Sequence, residues 1–89
     1  MRDFSLIGSH LCPNTLYAIT KLKDAGLAFT FVDISASLAD MRTLLKLRDA
    51  RPEFAKFREE GEGRMGIPCF LFDDGTLTHD LNKVLEEAK

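Results

Sequence analysis

The chain has 89 residues, of which 45% are hydrophobic and 29% charged, and its formal net charge is −2. That length and composition fit one soluble domain, residues 1–89, with a modest core. The near-neutral balance, with Lys and Arg scattered along the chain, excludes a strong field for nucleic acid or an anionic membrane, and no apolar stretch approaches the length of a membrane span.

The first element is a short buried strand from Phe4 to Ile7. Pro13 suits the first turn of a helix, where its missing N–H costs nothing, and Leu16, Ile19 and Leu22 recur at helical spacing up to a stop at Gly26. Leu27 to Ile34 reads as the second strand, with Phe29 and Phe31 on one face. Ser37 and Asp40 form a capping box for a helix that buries Leu38, Met41, Leu44 and Leu45 and ends near Arg51, because Pro52 disfavours helix in the residue before it. Pro52 opens a further short helix with Phe54 and Phe57 inward, broken by Gly61, Gly63 and Gly66. Ile67 to Phe72 is the third strand, Asp73-Asp74-Gly75 a hairpin turn, and Leu77 with its neighbours a short return strand. Asp80 caps a last helix anchored by Leu81, Val84 and Leu85. The first two strands should be parallel through a right-handed crossover, and the last two antiparallel.

The chemistry centres on Cys12-Pro13-Asn14-Thr15. A cysteine at a strand-to-helix junction faces unpaired amides and the positive end of the helix dipole, which favour its reactive thiolate. As N-cap, Cys12 can receive the amides of Asn14 or Thr15. The competing reading is a small buried hydrophobe. Cys69 lies in an apolar run and, by strand alternation, points to the face opposite Pro68 and Phe70; a core position is favoured over a role in resolving a mixed disulfide with Cys12. His10, two residues before Cys12, is either a proton donor to the site or a surface polar residue at a loop end, the commoner case. His79 has no obvious partner, and no close ligand cluster makes a metal site.

The element order, with Cys12-Pro13-Asn14-Thr15 ahead of the first helix and Ile67-Pro68 opening the third strand, resembles the glutaredoxin branch of the thioredoxin fold over essentially the full length. It is most similar to small bacterial glutaredoxin-related proteins with a single active-site cysteine. The resemblance implies an α/β fold with a four-stranded mixed sheet, helices on both faces and a cis bond before Pro68. It implies a monothiol thiol–disulfide oxidoreductase in which Cys12 attacks glutathione mixed disulfides, with Pro13 and Thr15 in the catalytic loop. Thr15 stands where dithiol members carry their second cysteine. Ile67 and Pro68 would present backbone to glutathione, the co-substrate, and Asp80 would face the ligand's amino group. The partners implied are glutathione or another small thiol and glutathionylated or disulfide-containing proteins, for a monomer without nucleic-acid or membrane partners. Two cysteines are few for a disulfide-stapled secreted domain, and the amino terminus, with Asp3 and no basic region before a long apolar run, does not read as a secretory signal, so the cytoplasm is expected.

The sequence departs from the family pattern at two places. Ser9 stands where glutaredoxins usually have a lysine, and Leu77-Thr78-His79-Asp80 replaces a Gly-Gly pair followed by an acidic residue. Arg51 and Arg64, and the segment from Pro52 to Gly63, are candidates to supply the missing charge and reshape the groove. Two alternatives to the enzyme stay open. One is a non-enzymatic binding module for a thiol ligand or peptide. The other is a glutathione-dependent iron–sulfur carrier, against which Pro13 argues, since such members carry Cys-Gly-Phe-Ser.

Overall fold

The computed structural model describes residues 3–60 and 63–88; the expected break at Gly61 lies outside them. The elements are β1 (Phe4–Gly8), α1 (Pro13–Asp24), β2 (Thr30–Asp33), α2 (Leu38–Ala50), a 3-10 turn (Pro52–Phe54) running into α3 (Ala55–Glu60), β3 (Cys69–Phe72), β4 (Leu77–Thr78) and α4 (Leu81–Glu87). The four strands form one mixed sheet in the order β2-β1-β3-β4. β1 and β2 are parallel, while β1–β3 and β3–β4 are antiparallel.

Strand alternation divides the core into two layers. Phe4 and Leu6 of β1 with Phe70 and Phe72 of β3 bury Ala18 and Leu22 of α1 and Val84 of α4. Ile7, Cys69 and Leu77 point the other way and meet Ile34, Leu44 of α2 and Phe54. Cys69 and Phe70 therefore lie on opposite faces, and Cys69 is fully buried.

Several sequence expectations shift. The second strand begins at Thr30, not Leu27, because residues after α1 are used to close the helix. Gly26, with φ +73°, lets its amide reach the Lys23 carbonyl at 2.9 Å and the Leu27 amide reach that of Leu22 at 3.0 Å. The third strand begins at Cys69, not Ile67, since Pro68 has no N–H for the ladder; the Ile67–Pro68 bond is cis. In α1 the buried line is Thr15, Ala18 and Leu22, leaving Leu16 exposed. In α2, Leu44 is buried with Met41 and Leu47 against it, whereas Leu38 and Leu45 are exposed. Leu45 is rotated roughly 100° from Leu44 around the helix, and Leu38 opens the helix ahead of the part that packs on the sheet.

The helix caps follow the sequence. The Ser37 hydroxyl accepts from the Asp40 amide at 3.3 Å, and the Asp80 carboxylate accepts from the Asn82 amide at 3.0 Å. The turn after β3 places Gly75 at φ +92°, and Phe72 and Thr76 close it with a 2.8 Å bond.

The segment around α3 is fastened to α2 and to the loop before β3. Arg58 donates to the carbonyls of Arg48 and Arg51, and Arg48 donates to the Arg64 carbonyl at 3.1 Å. Phe54 and Phe57 turn inward and enclose the His79 ring, with centroids 4.8 and 4.9 Å away. Gly66, at φ +76°, passes so close that a Cβ there would stand 2.8 Å from Phe54. The His79 Nε2 is buried with no hydrogen-bond partner among the described residues.

Burial holds the His79 imidazole below the usual histidine range, against smaller opposing effects of the Gly66 backbone and Glu53. The folded protein thus binds the His79 proton less readily than the unfolded chain, whose imidazole titrates at about 6.5. This contribution to stability is complete above that value and is lost as the pH falls through it towards the lower folded value. Urea unfolding at about pH 7.5 and about pH 5.5 should show a steeper loss for wild type than for His79→Leu. Parallel losses would contradict this account of His79.

Candidate functional site

The strand register brings four chain segments to one end of the sheet. Gly8, the last residue of β1, pairs with Asp33, the last of β2. Ile7 pairs with Cys69, so one step further Pro68 lies opposite Gly8. Phe70 pairs with Thr78, so β4 delivers His79 and Asp80 to the same end. Above these ends sits the turn Ser9–Cys12, closed by the Cys12 amide on the Ser9 carbonyl at 3.0 Å, and α1 starts from it with Pro13 at its first position.

The seat of α1 is set by a close packing contact. Thr15 is fully buried, and a Cβ on Gly8 would lie 2.5 Å from its Oγ1. Only glycine admits the threonine there. The Thr15 Oγ1 accepts the Ser9 amide at 3.3 Å, which leaves its own proton for the neighbouring sulfur.

Cys12 is partly exposed at this helix mouth as a free thiol. Its side chain closes no cap hydrogen bond; the surrounding donors act on its anion. Partial burial raises the thiol, but the Thr15 hydroxyl with the amides of Thr15 and Asn14 together outweigh it and hold Cys12 below the ordinary cysteine value. Cys69 is the opposite case: burial alone pushes its thiol up to about 12. The two cysteines of this small domain are therefore shifted in opposite directions, Cys12 down and Cys69 up.

The expected site residues are placed as follows. Cys12, Pro13 and Thr15 share the α1 mouth, with Pro13 exposed. Ile67 and Pro68 are partly exposed at the same sheet end, and Asp80 is exposed there as the cap of α4. Arg51 and Arg64 are each paired with a carboxylate. Arg51 pairs with Glu53 at 3.0 Å and donates to the carbonyl of Gly75, in the hairpin at the far end of the sheet. Arg64 pairs with Glu60 at 3.2 Å and lies over the Phe57 ring.

The structure adds contacts of Ser9 and His10, with Ser35 and Asp33, that the sequence reading did not give. Ser9 is buried, with its hydroxyl against that of Ser35 at 2.5 Å and accepting the Leu11 amide at 3.0 Å. Asp33 holds the His10 ring at 2.7 Å and also receives the His10 and Ser35 amides. Burial alone raises the Asp33 carboxyl, but the His10 ring with these amides keeps it below the usual carboxylate range. A glycine ending a strand just before the cysteine turn was the available signal for the Thr15 contact. Asp33 ends an apolar run and carried no sequence cue to its partner.

The Thr15 hydroxyl can be tested directly. Thr15→Val keeps the shape and removes the donor, so the Cys12 thiol pKa should rise, and losing the Ser9 bond should cost about 1 kcal/mol of stability. Thr15→Ser should keep the pKa near wild type. A Thr15→Val protein with an unmoved thiol pKa would remove the hydroxyl from the site's electrostatics.

Over 79 residues the chain is 30% identical to an uncharacterized protein of Haemophilus influenzae, an alignment covering 89% of this chain and 90% of that protein. No family model and no solved structure matches. The chain belongs to the same family as the Haemophilus influenzae protein.

Proposed function

We propose that the protein is a glutaredoxin-like thiol–disulfide oxidoreductase of the thioredoxin fold that works through Cys12 alone. The observation that carries this reading is the Cys12 thiol at the mouth of α1, held below its ordinary value by Thr15 and the first helical amides. The sheet order, with its parallel first pair and antiparallel second half, supports the fold assignment. The convergence of Pro68 and Asp80 on the Cys12 end supports the site assignment.

In the reaction, the Cys12 thiolate attacks the glutathione sulfur of a mixed disulfide, and the substrate leaves as its thiolate. A second glutathione thiolate then attacks the glutathione sulfur on Cys12, giving oxidised glutathione and restoring the Cys12 thiolate. Thr15 supplies no second thiol, so the enzyme cannot finish by internal disulfide formation within the turn. The backbone at Ile67 presents an edge to which the glutathione main chain adds as a short strand. We place the enzyme in the cytoplasm as a monomer; among the described residues no helix is long and apolar enough to cross a membrane.

One observation favours a second reading, a binding module without turnover. Ser9, at the position of the family's lysine, is buried against Ser35 and offers no cation to a glutathione carboxylate. Turnover of a glutathione mixed disulfide, coupled to recycling of oxidised glutathione, separates the two. The enzyme reading predicts steady turnover by wild type and none above background for Cys12→Ser. Ligand binding of equal strength by wild type and Cys12→Ser, with no turnover by either, would establish the binding module instead.

A further inference from the structure

His10 is held unusually firmly for a half-exposed loop residue. Its ring Nδ1 lies 2.7 Å from one oxygen of Asp33, and its amide donates to the other at 3.3 Å. The Ser35 amide, at 3.0 Å, completes the set around that second oxygen. Asp33 itself is fixed at the end of β2 by pairing with Gly8. The ring is thus oriented by a carboxylate on a rigid strand, while its side chain remains 52% exposed. Because the Nδ1 edge is committed to Asp33, the Nε2 edge of the planar ring faces away from it.

This ring belongs to the same closed turn as the nucleophile, since the Cys12 amide donates to the Ser9 carbonyl across His10 and Leu11. In thiol–disulfide exchange the sulfur that leaves lies beyond the attacked sulfur, roughly two S–S lengths, about 4 Å, from the nucleophile. His10 stands two residues from Cys12 in that same turn. Four segments meet at this end: Ser9–Cys12, Asp33–Ser35, Ile67–Pro68 and Thr78–Asp80. Besides Cys12, their titratable side chains are His10, Asp33, His79 and Asp80. Asp33 is engaged as an acceptor, Asp80 caps α4, and His79 is enclosed by Phe54 and Phe57. His10 is the group left to handle a proton.

We propose that His10, oriented by Asp33, is the proton donor to the thiolate that leaves when Cys12 attacks a disulfide, so that the preferred substrates are aliphatic disulfides, whose departing thiols are basic. This rests on the assignment of Cys12 as the redox nucleophile. The Cys12–S bond forms as the substrate S–S bond breaks, and the electron pair leaves on the departing sulfur. That sulfur takes the Nε2 proton of the doubly protonated ring, and neutral His10 keeps its Nδ1 proton on Asp33. In the second half, Nε2 removes the proton of the incoming thiol as its sulfur attacks the mixed disulfide. Cys12 leaves as thiolate and the ring is again doubly protonated. Over the cycle one disulfide and one thiol become another disulfide and another thiol, with no net proton consumed. Asp33 is the positioning residue.

The test uses two uncharged probes that differ in the acidity of the departing thiol, hydroxyethyl disulfide (basic) and dithiodipyridine (acidic), in single turnovers of wild type, His10→Gln and Asp33→Asn. A lost proton donor slows the probe with the basic leaving group selectively. The aliphatic-to-aromatic rate ratio should fall by about tenfold or more in both variants. If the variants merely perturb folding or the Cys12 thiolate, both rates change together, and a ratio within about twofold of wild type overturns the proposal. A wild-type protein that reacts with neither probe faster than free cysteine ends the redox reading itself and this inference with it.

Discussion

Thr15 resting on the bare Cα of Gly8 is the contact on which the rest of the site depends. Without a side chain at Gly8, the first turn of α1 settles directly onto the end of β1. That places the helix mouth, with its unpaired amides, around the Cys12 sulfur. The same threonine receives the Ser9 amide and so tethers the start of the Ser9–Cys12 turn. One steric allowance in the strand therefore governs the helix position, the turn and the surroundings of the Cys12 sulfur.

A second set of bonds ties this turn to the neighbouring strand. Asp33 draws in His10 and Ser35, and Ser9 meets Ser35 hydroxyl to hydroxyl. Where the family resemblance expects a flexible cation for a glutathione carboxylate, this chain has a buried, internally bonded serine. A ring braced by a carboxylate stands beside it. These hydrogen bonds brace the cysteine turn. On the far side, Gly66 packs closely against Phe54 and Phe57, Arg48 donates to the Arg64 carbonyl, and Arg58 ties α3 to the end of α2. The loop leading to Pro68 is thereby anchored to packed aromatic rings.

Much of the architecture was legible because each strong local signal agrees with the fold. Pro13, Ser37, Asp73-Asp74-Gly75 and Asp80 each mark an element boundary by a mechanism that works within a few residues. Helical faces were read less well. Leu16 satisfies an apolar spacing, yet it is exposed, because the packing face of α1 is set by Thr15 on Gly8 and not by the largest side chains. Cys69 was legible from its apolar run and strand alternation. The Asp33–His10 pair was not, since it joins residues 23 apart in sequence through the register of two parallel strands.

The central claim is that the fold makes one sulfur reactive and keeps the other inert. The most direct measurement is the pH dependence of alkylation of the native wild-type protein, with the labelled residue located by mass spectrometry. The account predicts labelling at Cys12 with a midpoint below that of free cysteine, about 8.5, and no labelling of Cys69 until the protein unfolds. A Cys12 midpoint at or above that of free cysteine, or native labelling of Cys69 at a comparable rate, would contradict it.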